Sequence, residues 1–326
     1  MGGRPWRLDL TARAAQAVVA TCAVTVTARQ TGASWLFLPT LVATIPLLAL
    51  PLAAATVAAL AKRRRIPAAV GALCLALICA WWLPVFTPGP TSVLAASEAT
   101  APSIRVMSFN SMASPATGKN LVAAAVRERA DVLVVSECGP ALRRDLVAQG
   151  IETVFPHRLG TTMLTGVTVW SRLPMHSRGA VALAYGGEVV DISGFGPRGQ
   201  GRLRLLAAHP LSPRWREGAA WAADQRRLLD AAAALPDSAV IAGDLNMTRD
   251  HAPFRALQGH GFVDALDATG SGWQPTWSLG PNGPGLATID HILGRGVGLR
   301  DYRTIRIPGS DHRAVAVTVS TPAALG

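Results

Sequence analysis

The sequence predicts a chain of two parts: an N-terminal helical membrane region of about three spans, and behind it an α/β or α+β domain built on a large mixed sheet system with helices outside. Three observations carry this. The first hundred residues hold only 8 Lys and Arg and 2 Asp and Glu, against 23 and 18 in the remaining 226. Two long runs within that first stretch have no charge at all. From Ile104 onward, short β-type runs alternate with helical stretches and Gly/Pro turns. Half the chain is hydrophobic, which excludes an intrinsically disordered chain; the first hundred residues exclude a purely soluble globular one.

The uncharged runs are Trp35–Ala61, 27 residues, and Ile66–Phe86, 21 residues. About 20 apolar residues cross a bilayer, so both qualify by length, with Pro39, Pro46 and Pro51 tolerable if neighbours satisfy the freed backbone groups. A weaker stretch, about 10–28, contains Arg13 and several Thr and reads as a first span or a signal-like segment; the two runs behind it favour a span. Lys62, Arg63, Arg64 and Arg65 fill the turn between the strong runs, which the positive-inside rule places in the cytoplasm. Arg4, Arg7 and Arg13 put the N-terminus on that side as well, so the number of spans is odd. Residues 1–86 thus form the membrane region, 87–103 (TPGPTSVLAASEATAPS) a small-residue, Pro-rich linker, and 104–320 a domain outside the cytoplasm of a multi-pass cell-membrane protein. The four Cys give no disulfide framework.

In the second part, strands are expected at 104–109, 131–136, 164–170, 179–185, 189–194, 202–208, 239–242, 288–293 and 314–319. Helices are expected at 120–130, 140–149, 216–235 and 251–259. What borders the strands is informative. IRVMSF ends in Asn110, DVLVVS in Glu137 and RLRLLAA in His209; AVIAG delivers Asp244 and Asn246, LATI delivers Asp290 and His291, and Asp311 and His312 stand just before AVAVTV. If those termini share one sheet edge, they make a cleft of acids, amides and imidazoles suited to metal-assisted hydrolysis.

The segments FN (109–110), SE (136–137), HP (209–210), GDLN (243–246), PTW (275–277), IDHIL (289–293) and SDH (310–312) follow the order used by the endonuclease/exonuclease/phosphatase superfamily, which the stretch from Ile104 to Val319 resembles. The resemblance implies a four-layered α/β sandwich, two packed mixed sheets flanked by helices. Three spans before such a domain, with HPLSP and GWQPTW, further resemble the VanJ-type teicoplanin-resistance proteins of actinobacteria.

Roles follow residue by residue. Glu137 and Asn110 are expected to hold Mg²⁺ or Mn²⁺, hard cations that take oxygen ligands, with Asp311 a second metal-side carboxylate or a group orienting phosphate. His312 is the expected base, its tautomer fixed by Asp290. The resemblance implies that Asp244 and Asn246 orient the nucleophile and bind the scissile phosphate, and that His209 stabilises or protonates the leaving group. His291 is expected to be structural, and His157, His176, His251 and His260 to lie at the surface. Arg214, Trp215, Arg216 and Trp221 are expected to bind substrate, the arginines gripping pyrophosphate and the tryptophans lying at the lipid surface.

The function expected is that of a membrane-anchored, metal-dependent phosphoesterase acting on a membrane lipid pyrophosphate, with the bilayer as its partner. A tethered DNase is the runner-up, but the second part is only +5 with its cations spread, so the basic groove that nucleic acid needs is weakly signalled. A sphingomyelinase-like phosphodiesterase would call for an aromatic cage, which does not stand out. A catalytically dead binding domain would have lost one of Glu137, Asp244, Asn246, Asp290 or His312, and all are present.

Overall fold

The computed structural model describes residues 10–89, 101–114, 117–160, 163–214 and 216–321. The linker residues 90–100 and Trp215 lie outside these.

Four helices come first: α1 (Leu10–Thr31), α2 (Leu38–Val42), α3 (Ile45–Ala61) and α4 (Arg65–Trp82), closed by a 3-10 turn at Leu83–Phe86. Among the described residues, two helices, Leu10–Thr31 and Arg65–Phe86, are long and apolar enough to cross a membrane. This corrects the expectation of three. The run expected to span at 35–61 is divided: Pro39 opens α2, and Pro46 opens α3, the position where a proline's fixed φ and missing N–H cost nothing. The 17 residues of α3 cover only about 26 Å, short of a ~30 Å hydrocarbon core. All three long helices nevertheless pack on one another through Val19, Cys22, Ile45, Leu52, Cys74 and Ile78. The outward faces of α3 and α4 are apolar too, with Leu50, Val57, Ile66 and Leu73 exposed, whereas α1 exposes Val24 beside Arg13, Gln16, Thr21 and Thr27. A helix apolar all round belongs in a core or in lipid, and among the described residues none covers the outward faces of α3 and α4.

The second part is a helix–sheet–sheet–helix stack. The first sheet has the order β13-β14-β1-β2-β4-β3, from β1 (Ser103–Asn110), β2 (Val132–Ser136), β3 (His157–Gly160), β4 (Val167–Ser171), β13 (Gly298–Arg306) and β14 (Arg313–Ser320). The second has the order β5-β6-β7-β8-β12-β9, from β5 (Met175–Val181), β6 (Gly187–Phe195), β7 (Gly201–Ala208), β8 (Ala239–Asp244), β9 (Val263–Asp264) and β12 (Asp290–Arg295). A two-stranded ribbon, β10 (Trp277–Ser278) with β11 (Gly285–Ala287), stands beside them. Strand alternation builds the layers. Ile104, Val106, Val132 and Val134 face Leu203, Leu205, Val240 and Ala242 between the sheets. Met107, Phe109, Leu133 and Val135 face outward onto α5 (Gly118–Arg127) and α6 (Pro140–Ala148). Leu206, Ile241 and Leu293 face α8 (Gly218–Ala233) and α9 (Ala252–Gly259); α7 (Ile151–Val154) and α10 (Ala265–Thr269) are single turns.

Each sheet contains one parallel pair, β1 with β2 and β7 with β8, and each pair is joined through a helix, as parallel pairing requires. Their C-terminal ends carry Asn110, Glu137, His209 and Asp244. The antiparallel neighbours β14 and β12 start at that same edge, bringing His312 and Asp290 to it. Several elements differ from expectation. The strand expected at 179–185 lies at Met175–Val181, and β3 and β13 were not anticipated. All three are edge strands whose charged or polar residues hide the alternation; β13 (GLRDYRTIR) also has a register shift between Arg300 and Arg303.

The bundle docks on the segment that follows β8. Arg29 Nε reaches Asp250 Oδ1 at 2.7 Å, and Trp82 Nε1 donates to Asp250 Oδ2 at 3.2 Å. Arg249 donates to the Trp81 carbonyl, Arg255 to the Arg29 carbonyl (2.6 Å) and Thr40 Oγ1 to the Pro213 carbonyl (3.0 Å). His251 bonds the Pro39 carbonyl at 2.8 Å through Nε2, while its Nδ1 accepts from the Thr248 N–H at 2.8 Å. This corrects the surface expectation for His251, which is buried. Burial drives its imidazole down to about 4, against the Pro39 carbonyl and the Asp250 charge.

A buried histidine of this kind makes docking acid-sensitive. Its folded pKa lies below the unfolded value of about 6.5, so the unfolded chain takes the proton first. Stability is lost as pH falls from about 6.5 to about 4, by up to ~3 kcal/mol in all. Unfolding free energies of wild type and His251→Gln across that range test this; the variant's profile is expected to be flatter, and an equally steep one would refute it.

Candidate active site

The site grows from the ends of the two parallel pairs. β8 ends in Gly243–Asp244, and Gly243 is obligatory there: its φ is +153°, and a Cβ would lie 1.9 Å from the Ala208 carbonyl oxygen on β7. That close approach sets Asp244 directly across from Asp290 in the β8–β12 register. Two non-glycine residues next to the chemistry, Glu137 (φ +58°) and Asn246 (φ +50°), sit in the left-handed region, a conformation kept only where surrounding bonds hold it.

Asp244 is the hub. Its Oδ2 accepts from Asn110 Nδ2 at 2.8 Å and faces His209 Nε2 at 3.6 Å and His312 Nε2 at 3.8 Å. Its Oδ1 accepts the Asn246 N–H at 3.0 Å. Burial pushes the Asp244 carboxyl up, but the His209 and His312 imidazoles and the Asn110 amide outweigh it and bring it down to about 2. His312 Nδ1 meets Asp290 Oδ2 at 2.8 Å, leaving Nε2 toward the cleft. Burial would lower this imidazole; Asp290, with Asp244 and Asp311, instead raises it to about 10. Thr276 Oγ1 accepts from the N–H groups of Ile289 and Asp290 and so fixes the start of β12, a second role for the PTW segment.

The expected residues therefore converge. Glu137, Asn110, His209, Asp244, Asn246, Asp290, Asp311 and His312 share one edge, and Asn110 bridges the two sheets by bonding both Glu137 Oε1 (3.2 Å) and Asp244 Oδ2. His209 Nδ1 bonds the Thr165 carbonyl at 3.1 Å, which turns Nε2 to the site. Asn246 Nδ2 donates to the Pro210 carbonyl at 2.9 Å.

Two placements differ from expectation. Asn110 presents its amide nitrogen to the carboxylates while its Oδ1 accepts the Met112 N–H at 2.8 Å, so as it stands it spaces the carboxylates and offers no oxygen to a cation. Trp221 is 2% exposed, its indole N–H on the Asn246 carbonyl at 3.0 Å; it braces the catalytic loop and is no lipid-surface residue. Arg214 and Arg216 are exposed, and Trp215 between them lies outside the described residues. His291, as expected, is built into the frame: Nδ1 bonds Asp264 Oδ2 (2.9 Å) and Nε2 the Met247 carbonyl (3.0 Å). Sequence reasoning missed Trp277, whose indole N–H donates to Asp311 Oδ2 at 3.1 Å.

A divalent cation fits this donor set. Buried Asp311 Oδ1 and Asp290 Oδ1 have no hydrogen-bond partner, and the oxygens of Glu137 and Asp311 are the hard ligands such an ion takes. Asp244, Asp290 and His312 also bring ligand atoms within 4.8 Å of one another. In that trio, however, Asp290 and His312 already satisfy each other, which favours a proton-handling pair over a metal cage.

Comparison with known proteins agrees with the geometry. Residues 107–312 match the Endonuclease/Exonuclease/phosphatase family. Among solved structures, a D. rerio TDP2 humanized by 14 mutations is similar at 17% identity, covering 67% of this chain and 99% of its own (TM-score 0.54). D. rerio TDP2 complexed with a single-strand DNA product is 14% identical over 67% of this chain and 99% of its own (TM-score 0.53). An endonuclease/exonuclease/phosphatase from Beutenbergia cavernae is 18% identical over 68% and 72% (TM-score 0.54). At these identities the likeness establishes the fold. No curated protein matches.

Two groups of substitutions separate chemistry from frame. Glu137→Ala and His312→Ala are expected to lower turnover by about 10²-fold or more with the fold retained, as removing a general base does. His291→Ala is expected to cost much less in turnover and to act through stability. Steady-state rates beside melting curves check this, and a His312→Ala enzyme with wild-type turnover would remove His312 from the mechanism.

Proposed function

Because the chain belongs to the Endonuclease/Exonuclease/phosphatase family, whose enzymes are metal-dependent phosphoesterases and nucleases, we propose that it is a membrane-anchored phosphoesterase that hydrolyses a prenyl pyrophosphate, undecaprenyl pyrophosphate or a relative, to the monophosphate. The observation that carries this reading is the docking of an apolar helical bundle on the segment that follows Asp244 and Asn246. The cleft is thereby held at a lipid surface, where a membrane-borne substrate has a large local-concentration advantage. The bundle is arranged up-down-up, so on this reading α3 crosses as well, its shortfall met by local thinning of the bilayer. The contacts to the catalytic domain involve Arg29, Pro39, Trp81 and Trp82, and the Lys62–Arg65 turn lies at the opposite ends of α3 and α4. With that basic turn in the cytoplasm, the catalytic domain lies outside, where the lipid carrier of wall synthesis is released. A role in teicoplanin-type glycopeptide resistance follows from the same reading.

The step is water addition across the anhydride: the P–O bond to the terminal phosphoryl breaks, and prenyl monophosphate and inorganic phosphate result. Glu137 and Asp311 would hold Mg²⁺ or Mn²⁺, with Asn110 joining if its amide turns over. When bound, the ion would neutralise the phosphoryl oxygens and cancel part of the carboxylate field that keeps His312 protonated. His312 Nε2, in its neutral form, takes the proton of water aligned by Asp244, while Asp290 holds the tautomer. Asn246 Nδ2, with the proton not given to Pro210, and His209 Nε2 would stabilise charge on the phosphate and the departing oxygen. Arg214 and Arg216 supply cations near the loop that leads from His209.

A tethered nuclease is the second reading, favoured by the shared fold with a TDP2 complexed with single-strand DNA product. The decisive comparison is kcat/KM on prenyl pyrophosphate against duplex and single-stranded DNA in detergent, with Glu137→Ala as blank. We expect the lipid to be preferred, chelator to abolish hydrolysis and Mg²⁺ or Mn²⁺ to restore it. Faster DNA cleavage, or full activity in excess chelator, would overturn the respective assignment. Orientation is tested with single Cys at Arg64 and Asn282: an impermeant reagent on intact cells is expected to label Asn282→Cys alone, and labelling of Arg64→Cys alone would reverse the topology.

A further inference from the structure

The described ion pairs include one that is buried and joins the two parts of the chain. Asp250 is wholly enclosed; Arg29 comes from 221 residues earlier, and its guanidinium lies 3.7 Å over the Trp81 ring. With Trp82 Nε1 on its other oxygen, Asp250 is gripped from α1 and α4 together. A second line runs from the bundle into the site. The Pro39 carbonyl bonds His251, the His251 ring packs against Trp221 at 5.0 Å, Trp221 Nε1 bonds the Asn246 carbonyl, and Asn246 bonds Pro210 and Asp244. Asn246 has φ +50°, so its backbone needs external restraint. Between Asp244 and His251 the chain forms no strand or helix, and its restraints include these contacts, the Leu245 N–H on the Ile289 carbonyl, the Gln225 amide on the Leu245 carbonyl, His291 Nε2 on the Met247 carbonyl and Arg249 on Asp267.

We propose that the membrane bundle is a working part of the catalytic site: Asp250 and His251 are positioning residues through which α1, α2 and α4 hold the Asp244–His251 loop, and so Asp244 and Asn246, in register with His312. The assignment of turnover to this site rests on the phosphoesterase reading; the restraint itself does not. Its cause is geometric. A buried carboxylate needs its cation, and removing the cation leaves a charge that is relieved by taking up a proton or by moving the loop toward water, and either change loosens the grip on Asp250. Such movement displaces Asn246, and displacements of about 1 Å at a site of this kind cost up to ~10²-fold in rate.

The test uses the full chain in detergent, with hydrogen exchange over residues 245–251 read beside kcat and KM. In Arg29→Ala, exchange of the Leu245 and His251 amides is expected to quicken by about 10-fold or more. kcat should fall by about 10-fold, with KM within about twofold. Arg29→Lys should recover most of both, as a structural filler would not. Trp82→Phe keeps an aromatic ring and removes only the N–H, so it remains informative should Arg29→Ala fold poorly; a roughly two- to threefold loss of kcat is expected, smaller than for Arg29→Ala because the Arg29–Asp250 pair stays in place. Unchanged exchange in both variants, quickened exchange with unchanged kcat, or a loss confined to KM would overturn the proposal. Quickened exchange in the variants of a chain whose wild type hydrolyses no phosphate ester would instead remove the phosphoesterase reading and, with it, the catalytic half of the proposal.

Discussion

A carboxylate cannot be taken out of water uncompensated, and Asp244 is fully enclosed. Much of the catalytic half is arranged around that constraint. The Asn110 amide reaches it from the first sheet, His209 and His312 face it, and the Asn246 N–H closes its remaining oxygen. Because these partners come from β1, β7, β14 and the loop after β8, satisfying one charge fixes the stagger of two sheets. The sandwich core of branched aliphatics could tolerate small slips between sheets; the polar edge cannot. The cleft and the inter-sheet register are in this sense a single solution to the same electrostatic problem.

The sequence disclosed a large part of this. Central strands are readable because both faces are buried and β-branched residues dominate, as in DVLVVS and AVIAG. The site was readable because chemistry-bearing residues sit where those strands stop. What escaped has physical reasons. The edge strands β3, β5 and β13 carry polar or charged residues at positions the alternation rule treats as breaks. Trp221 and His251 escape because a Trp near arginines and a His without a motif have no local feature that reports burial; the packing of Trp221 between the second sheet and its helices, and the docking of α2 on His251, reveal it. The division of the 35–61 run was signalled by Pro39 and Pro46, but a proline tolerated in a span and a proline opening a new helix look alike until the chain is folded.

Asn110 illustrates a finer limit. Residue type and position predicted an oxygen ligand, yet an amide offers two chemically opposite ends, and which end faces the carboxylates depends on what the other end finds. Here Met112 N–H takes the oxygen. The sequence supplies the group; the local turn, with Met112 and Ala113 both at positive φ, sets its direction.

The solved TDP2 chains are matched almost in full by two thirds of this one. The Arg249–Asp250–His251 tripeptide can be viewed as a socket: three consecutive polar side chains or backbone positions, each engaging a different part of the N-terminal helices, set on the stretch of chain just past GDLN. A chain stripped of the bundle would be left with an enclosed acid lacking its cation, so the two parts stand or fall together.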